Sequence, residues 1–256
     1  MPASAPLSFT VLTVNTHKGF TPFNRRFILP ELREAVRSVH ADLVFLQEVH
    51  GTHAGHANRH SLWPAMPQYE FLADQIWTDF AYGRNAVYPE GDHGNALLSK
   101  FPIRRWANHD VSGHGFRGEE RRGLLHCVLD VPGCATEVHA VCVHLGLREA
   151  ERTAQLALLC ALIDRDVPSE APLLIAGDFN DWRLKAHHRL KQCAGLRDPF
   201  ADTGRAPPRT FPARWPLLRL DRIYARNVQV HHPRVLSTQP WSHLSDHAPL
   251  CAEVQL

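Results

Sequence analysis

The most constraining feature of this 256-residue chain is a short apolar run that ends abruptly in polar residues. The run covers residues 173–176, with Pro172 before it and Gly177 after it. An apolar run without alternation predicts a strand covered on both faces, at the centre of a fold. Asp178 and Asn180 follow at its carboxyl end, where short polar side chains can point into a cleft. The same residue types also form simple Asx turns, so a site here depends on the rest of the chain.

Composition restricts the class of protein but not its partner. Hydrophobic residues make up 44% of the chain and charged residues 21%, which is ordinary for a globular domain and excludes disordered and fibrous classes. The formal net charge of +2 neither indicates nor excludes nucleic acid, because clustering of charge matters more than its sum. We expect a single domain over residues 1–256, with residues 1–8 flexible.

The cysteines and the first residues predict a cytoplasmic protein. No C-x-x-C pair occurs, and Cys142, Cys160 and Cys251 lie in apolar runs typical of a core. We therefore expect reduced thiols. Residues 1–8 lack a basic region followed by a long apolar stretch, and no run of about 18 apolar residues occurs. The sequence thus indicates neither secretion nor a transmembrane segment.

Polar residues with useful chemistry recur at the ends of other predicted strands. For example, Glu48 ends an apolar strand, where a carboxylate is costly unless it is paired or binds a cation. Random turns would not select such residue types so regularly. The full set is Asn15, Glu48, His144, Asp178, Asn180, Asp221, Asp246 and His247.

Two further segments have alternative interpretations. Residues 104–121 carry several arginines among Gly, Ser and His without periodicity, which predicts a mobile surface loop that is either solvated or in contact with phosphate.

A histidine-rich segment surrounded by Gly and Ala predicts a flexible loop. We favour solvation or adventitious metal binding there over a functional zinc site, since such a site needs three or four fixed ligands. Its histidines are His50, His53, His56 and His60.

Seven motifs in the same order resemble those of the endonuclease/exonuclease/phosphatase superfamily, the deoxyribonuclease-like metal-dependent phosphohydrolases. The resemblance extends over nearly the whole chain. It implies an α+β fold, a four-layer sandwich of two packed, mostly antiparallel β-sheets flanked by helices. The motifs are a strand ending in Asn15, Leu46-Gln47-Glu48, Gly94-Asn95-Ala96-Leu97-Leu98-Ser99, Val143-His144-Leu145, Gly177-Asp178-Phe179-Asn180, Asp221-Arg222-Ile223-Tyr224 and Ser245-Asp246-His247.

The resemblance also implies a metal cofactor. Glu48 would be the principal ligand of Mg²⁺ or Mn²⁺, and Asn15 and Asp246 would complete or support the site. Hard oxygen ligands suit Mg²⁺, which keeps several waters and takes a phosphate oxygen from the substrate. We expect one metal ion, because His17 and Lys18 follow the first asparagine where some nucleases of the family carry an acid.

Catalytic roles follow from the same resemblance. Asp178 would activate the attacking water, and Asn180 would orient that water or a phosphate oxygen. His144 and His247 would donate hydrogen bonds to phosphoryl oxygens, with Asp221 holding the imidazole of His247 in the required tautomer. Fixed donors aimed at developing negative charge are commonly the largest catalytic contribution.

The motifs indicate substrate contacts less clearly than they indicate metal ligands and catalytic residues. Asn95 and Arg122 match positions near the phosphate site of the family, although loop bonding and surface packing explain them equally well. Three loops, residues 50–68, 104–121 and 203–219, combine arginines with aromatic residues, a mixture that can stack bases or contact a lipid headgroup interface. The aromatic residues are Trp63, Trp106, Phe116, Phe211 and Trp215.

We expect a cytoplasmic, Mg²⁺-dependent phosphodiesterase acting on a phospholipid-derived or other small phosphodiester. A DNA or RNA endonuclease or exonuclease of the same superfamily is the main alternative, because fold and core motifs fix the bond type and not the substrate. A non-catalytic binding module and a zinc hydrolase built on the histidine-rich segment rank lower. No obligate protein partner is inferred.

Overall fold

The computed structural model describes residues 7–113, 120–201 and 206–256. Its strands outnumber its helices, which lie between them along the chain. Short 3₁₀ turns lie at His17–Gly19, Pro22–Asn24 and Trp241–His243. The strands and α-helices are β1 (Ser8–Asn15), α1 (Leu29–Ser38), β2 (Leu43–His53), α2 (Ala54–Arg59), α3 (Gln68–Ala73), β3 (Asp79–Tyr88), β4 (Gly91–Ser99), β5 (Ile103–Asp110), β6 (Gly123–Leu129), β7 (Val138–His144), α4 (Glu149–Asp166), β8 (Leu173–Asp178), α5 (Lys185–Ala194), β9 (Asp221–Arg226), β10 (Gln229–Val235) and β11 (Leu250–Gln255).

The strands form two sheets. The first has the order β10-β11-β1-β2-β4-β3 and the second the order β5-β6-β7-β8-β9. The pairs β1–β2 and β7–β8 are parallel, and the other neighbours are antiparallel. Since parallel neighbours end at the same edge of a sheet, each sheet brings two carboxyl strand ends together. The prediction of two mostly antiparallel sheets is confirmed.

Helices cover the outer face of each sheet, and the main core lies between the sheets. Phe45 of β2 and Leu174 of β8 are fully buried in this central layer. Successive residues of a strand point to opposite faces, so Val44 packs instead into the layer shared with α1 and α3. Leu159 of α4 packs on the far face of the second sheet. The predicted four-layer α+β sandwich is therefore confirmed.

We had expected residues 104–121 to form one surface loop, and this expectation is wrong. Ile103–Asp110 is the edge strand β5, antiparallel to β6. Charged residues are common on edge strands because one face and one edge meet solvent, and this explains the missing apolar alternation. The ion pairs are Arg104 with Asp130, Arg105 with Glu137 and Arg121 with Asp110. Phe116 and Arg117 lie outside the described residues.

The cysteines do not all occur as reduced thiols, which corrects a second expectation. Cys160 of α4 and Cys193 of α5 form a disulfide across a sequence separation of 33 residues. Packing of the two helices brings their Cα atoms to 6.0 Å, a proximity that spacing along the sequence does not reveal. Cysteine usage therefore no longer favours the cytoplasm.

The histidine-rich segment is ordered, in contrast to the flexible loop that we predicted. His50 is a buried residue of β2, and Nδ1 of His53 accepts a hydrogen bond from the backbone N–H of His56 at the start of α2. The rings of His53 and His56 have centroids 3.9 Å apart, and His56 stacks on Trp63. The small residues thus allow close ring packing, and the segment forms an aromatic layer.

The beginning of the described chain belongs to the fold. Leu7 packs against the central core, and Ser8 pairs with Gln255 of β11. These two residues were expected to be flexible, whereas residues 1–6 lie outside the described part. In the described ranges, no α-helix has both the length and the apolar character needed to cross a membrane.

Candidate active site

Strand ends from both sheets meet at one edge of the sandwich. His144 ends β7 and lies beside Asp178 at the end of β8, which in turn pairs with Asp221 at the start of β9. Asn15 ends β1 in the opposite sheet, and its Nδ2 donates a hydrogen bond of 3.3 Å to Oδ2 of Asp178. The two sheets thus jointly position this cluster, which we call the strand-end site.

Gly177 allows the close approach of β7 and β8 that this site requires. Its φ of +143° is rarely adopted by residues with a side chain. A Cβ at this position would lie 2.0 Å from the carbonyl oxygen of Val143. The register that places His144 beside Asp178 therefore depends on a glycine one residue earlier.

Several non-glycine residues at the site adopt a left-handed backbone. The φ angle is +44° at His17, +58° at Lys18, +54° at Glu48 and +50° at Asn180. Glu48 also lies where the register of β2 against β4 shifts. Such conformations cost free energy and cluster at functional sites, so their concentration here supports a functional role for this edge.

The imidazole of His247 is held by a carboxylate. Its Nδ1 lies 2.9 Å from Oδ2 of Asp221, and both side chains are buried. Burial lowers the pKa of His247, but the carboxylates of Asp221 and Asp178 outweigh it and raise the pKa to about 10. His247 is therefore a cationic donor at neutral pH. The backbone is fixed as well, because the hydroxyl of Ser245 donates to the carbonyl of Asn15 at 2.7 Å.

Asp178 is the buried carboxylate at the centre of the site. Its Oδ2 lies 3.8 Å from Nε2 of His247, and its Oδ1 accepts a 2.8 Å hydrogen bond from the backbone N–H of Asn180. Burial raises the pKa of Asp178 to about 7, the Asp221 carboxylate adds to this rise, and His247 opposes it. The carboxyl group can thus exchange a proton near neutral pH. The side chain of Asn180 donates to the carbonyl of Leu145 at 2.9 Å.

His144 and Arg122 form a second donor group. Nη1 of Arg122 donates to Nδ1 of His144 at 3.2 Å, so we assign the proton of the neutral ring to Nε2. That nitrogen lies 3.5 Å from Oδ2 of Asp178 and 3.9 Å from Oε1 of Glu48. Burial, together with the charge of Arg122, holds the pKa of His144 well below its usual value. His144 is therefore a neutral donor.

Glu120 organises cations beside this group, and the sequence analysis did not identify it. Its carboxylate lies 2.7 Å from Nε2 of His93, 3.1 Å from Nη1 of Arg122 and 3.5 Å from Nζ of Lys18. The Tyr88 hydroxyl donates to it at 2.9 Å. Burial alone would raise the pKa of Glu120, but the hydrogen bond from His93 and the charge of Arg122 hold it below its ordinary value.

Asn95 occupies a fully buried position between the sheets. Its Nδ2 donates to the carbonyl of Gly123 at 2.9 Å and to that of Cys142 at 3.4 Å. Its Oδ1 has no hydrogen-bond partner among the described residues. These bonds join β4 to β6 and β7, and a contact of Asn95 with substrate stays a prediction.

Oxygen ligands suited to a divalent cation lie near Asn15. Oε2 of Glu48 is 3.9 Å and Oδ2 of Asp246 3.3 Å from Nδ1 of His17, and both carboxylates are about a fifth exposed. Nδ2 of Asn15 lies 3.5 Å from Oε1 of Glu48. Because Mg²⁺ prefers hard oxygen ligands and retains waters, the partly exposed carboxylates of Glu48 and Asp246 are ligands of the type that such an ion binds.

A second group at the site also brings potential ligands together. Atoms of Asp178, Asp221 and His247 lie within 4.8 Å of one another. However, Nδ1 of His247 is paired with Asp221, and imidazole is not a preferred ligand of Mg²⁺. This buried group is better suited to moving a proton than to holding magnesium.

Comparison with known proteins identifies the family to which a chain with this fold and this site belongs. Residues 12–247 match the family model described as Endonuclease/Exonuclease/phosphatase family. The chain belongs to this family. It is 57% identical over 249 residues to "Uncharacterized protein YbhP" of Escherichia coli (strain K12), a match that covers 97% of each chain.

Solved structures support the fold. The endonuclease/exonuclease/phosphatase from Bacteroides vulgatus superposes with a TM-score of 0.76 at 19% identity, covering 98% of this chain and 99% of the other. TDP2 of D. rerio, complexed with a single-strand DNA product, superposes with a TM-score of 0.71 at 18% identity, covering 97% and 99%. Both are similar to this chain in fold.

Proposed function

We propose that this protein is a Mg²⁺-dependent phosphodiesterase that uses Asp178 to activate a water for in-line attack at phosphorus. The observation that carries the proposal is the position of Asp178. It is buried between Asn15, His144 and His247, with a pKa raised to about 7 by burial. A carboxylate with a pKa near the working pH is an effective general base. Membership of a family of phosphoester hydrolases supports the same chemistry.

The proposed metal ligands are Glu48 as the principal one, with Asn15 and Asp246 completing or supporting the site. Mn²⁺ is an alternative ion for the same oxygen ligands. When bound, a divalent cation polarises a phosphate oxygen and offsets negative charge in the transition state.

The proposed phosphate donors are His247, His144 and Arg122. His247 is cationic because Asp221 stabilises its protonated ring, and His144 presents Nε2–H because Arg122 occupies Nδ1. Asn180 is proposed to orient the water or a phosphate oxygen. Donors fixed in a buried site need no reorganisation as charge develops on phosphorus oxygens, and removing one costs about 3 kcal/mol of activation free energy.

The proposed substrate is a phospholipid-derived or other small phosphodiester, and a nucleic acid is the alternative. Exposed aromatic residues that contact arginines are compatible with both substrate classes. Phe23 is 85% exposed with Arg25 over its ring at 5.5 Å, and Trp215 is 68% exposed with Arg214 at 4.8 Å. Such pairs can stack on bases or contact a lipid interface. The similarity in fold to a protein that holds single-strand DNA supports the alternative.

Hydrolysis of bis-p-nitrophenyl phosphate with Mg²⁺ or Mn²⁺ tests the shared chemistry. Asp178→Ala and Glu48→Gln should each reduce the rate by about 100-fold or more. Glu34→Gln, on the exposed part of α1, is the matched control and should retain the parental rate. Equal rates in the parent and both variants would show that the strand-end site is not catalytic.

Natural substrates separate the alternatives. A lysophospholipid or glycerophosphodiester should be cleaved faster than single-strand oligonucleotides, and Trp215→Ala should change KM more than kcat. Cleavage that increases steeply with oligonucleotide length would favour the nuclease instead. Binding of these substrates with no turnover in Mg²⁺ or Mn²⁺ would favour a non-catalytic binding module.

A further inference from the structure

A separate cavity lies on the outer face of the second sheet, beside the end of α4. It has a volume of about 270 Å³ and is lined in part by Trp106, His109, His126 and Asp166. His126 pairs with Val141 of β7, which lies three residues before His144, about 10 Å along the strand, and faces the opposite side of the sheet. The cavity is therefore distinct from the strand-end site.

The sheet register brings two histidines of this cavity to one face. His126 of β6 pairs with Ala107 of β5, and His109 follows Ala107 by two residues, so both imidazoles point to the same side. Asp166, the last residue of α4, approaches them from the helix that covers this face. One ligand atom from each of these three side chains lies within 4.8 Å of the other two.

The histidines carry features of preorganised ligands. Nε2 of His109 is buried and has no hydrogen-bond partner among the described residues. Nε2 of His126 lies 2.9 Å from Nδ1 of His139, which orients the ring and leaves Nδ1 of His126 for a ligand. Metal-binding histidines generally have such a partner on the second nitrogen.

Charge at the cavity also suits a cation. Asp166 places a carboxylate beside the imidazoles of His109 and His126. The carboxyl end of the 18-residue helix α4 adds a negative partial charge.

We propose that His109, His126 and Asp166 bind a divalent transition-metal ion of the Zn²⁺ class, with His139 orienting His126. Two imidazoles and one carboxylate are a zinc ligand set, whereas Mg²⁺ prefers oxygen ligands alone. Arg165 contacts both oxygens of Asp166 on the exposed side and must share one of them with the ion. Because the ligands come from β5, β6 and α4, the ion fastens the edge strand to the helix.

Titration of the whole protein with ZnCl₂ in excess MgCl₂ tests this site without using activity. Calorimetry should show one tight Zn²⁺ per chain, and Zn²⁺ should raise Tm by about 3 °C or more. His109→Gln and Asp166→Asn should each weaken binding by about 100-fold or more, and His139→Gln by about 10- to 100-fold. Two surface controls, Asp164→Asn on α4 and His188→Gln on α5, should bind as the parent does.

Three results would overturn the proposal. The parent could bind no Zn²⁺ under these conditions, or both ligand variants could bind it as tightly as the parent. Alternatively, His53→Gln in the aromatic layer could remove the tight site while His109→Gln does not. Because the readouts are stoichiometry and melting temperature, failure here is distinguishable from failure of the proposed phosphodiesterase activity.

Discussion

Nδ1 of His247 lies 2.9 Å from Oδ2 of Asp221, and this pair connects the start of β9 with the turn before β11. We predict that Asp221→Asn lowers kcat by about 100-fold or more, because the amide neither stabilises the protonated imidazole nor holds its tautomer. The alkaline limb of the pH profile should also move to lower pH. Steady-state kinetics across pH would test both effects, and an unchanged alkaline limb would contradict the assigned role.

The pH dependence of the reaction follows from two groups with displaced pKa values. Asp178, with a pKa raised to about 7 by burial, must be ionised, and His247, with a pKa of about 10, must be protonated. We therefore expect kcat/KM at saturating Mg²⁺ to rise about tenfold per pH unit below 7, to level off, and to fall above 10. A flat profile from pH 5 to 8 would show that no group with a pKa near 7 controls the reaction.

Gly177 offers a test of how the strand-end site is built. Gly177→Ala should lower the free energy of unfolding by roughly 2–4 kcal/mol, because the new Cβ would meet the Val143 carbonyl. Gly133 is the matched control, since its φ is +88° but nothing lies within 4 Å of a Cβ there. Gly133→Ala should cost only about 1 kcal/mol. If urea denaturation gave similar losses of unfolding free energy for the two variants, the positive φ and not the contact with the Val143 carbonyl would account for the destabilisation.

The strands and the polar residues at their ends were predictable from local patterns, whereas the sandwich architecture and the roles of the site residues were expected from the resemblance to the family. Buried strands are apolar runs, and their polar ends, such as Asn15 and Asp178, mark the edge where they meet. The edge strand β5 was not predictable in this way, since an exposed strand has no need of apolar alternation. Its arginines resembled those of a loop.

Contacts between distant segments account for the other differences. Glu120 acquires its role only when Lys18, His93 and Arg122 converge on it from separate elements. The aromatic packing of His53 on His56 likewise depends on a short helix that Gly and Ala residues did not suggest. Sequence spacing carries no signal for either arrangement.

The disulfide between α4 and α5 should contribute to stability. Cys160→Ser or Cys193→Ser should lower the free energy of unfolding by about 4 kcal/mol, because the bond restricts a loop of 33 residues in the unfolded chain. Chemical denaturation under non-reducing conditions would measure this loss. Cys134→Ser, at a half-buried free thiol, should leave stability within about 0.5 kcal/mol of the parent. If the Cys160 and Cys193 variants and the reduced parent were all as stable as the oxidised parent, the predicted contribution of the disulfide to stability would be wrong.

The position of β1 between β11 and β2 has a consequence for synthesis on the ribosome. β1 is synthesised before β11, and the Ser245 hydroxyl that donates to the Asn15 carbonyl lies 230 residues further along the chain. Until residues 245–255 have emerged, one edge of β1 is unpaired and Asp246 and His247 are missing from the site. A nascent chain that stalls before this point would hold a partly formed sheet that is open to association with other strands, and its strand-end site would be incomplete.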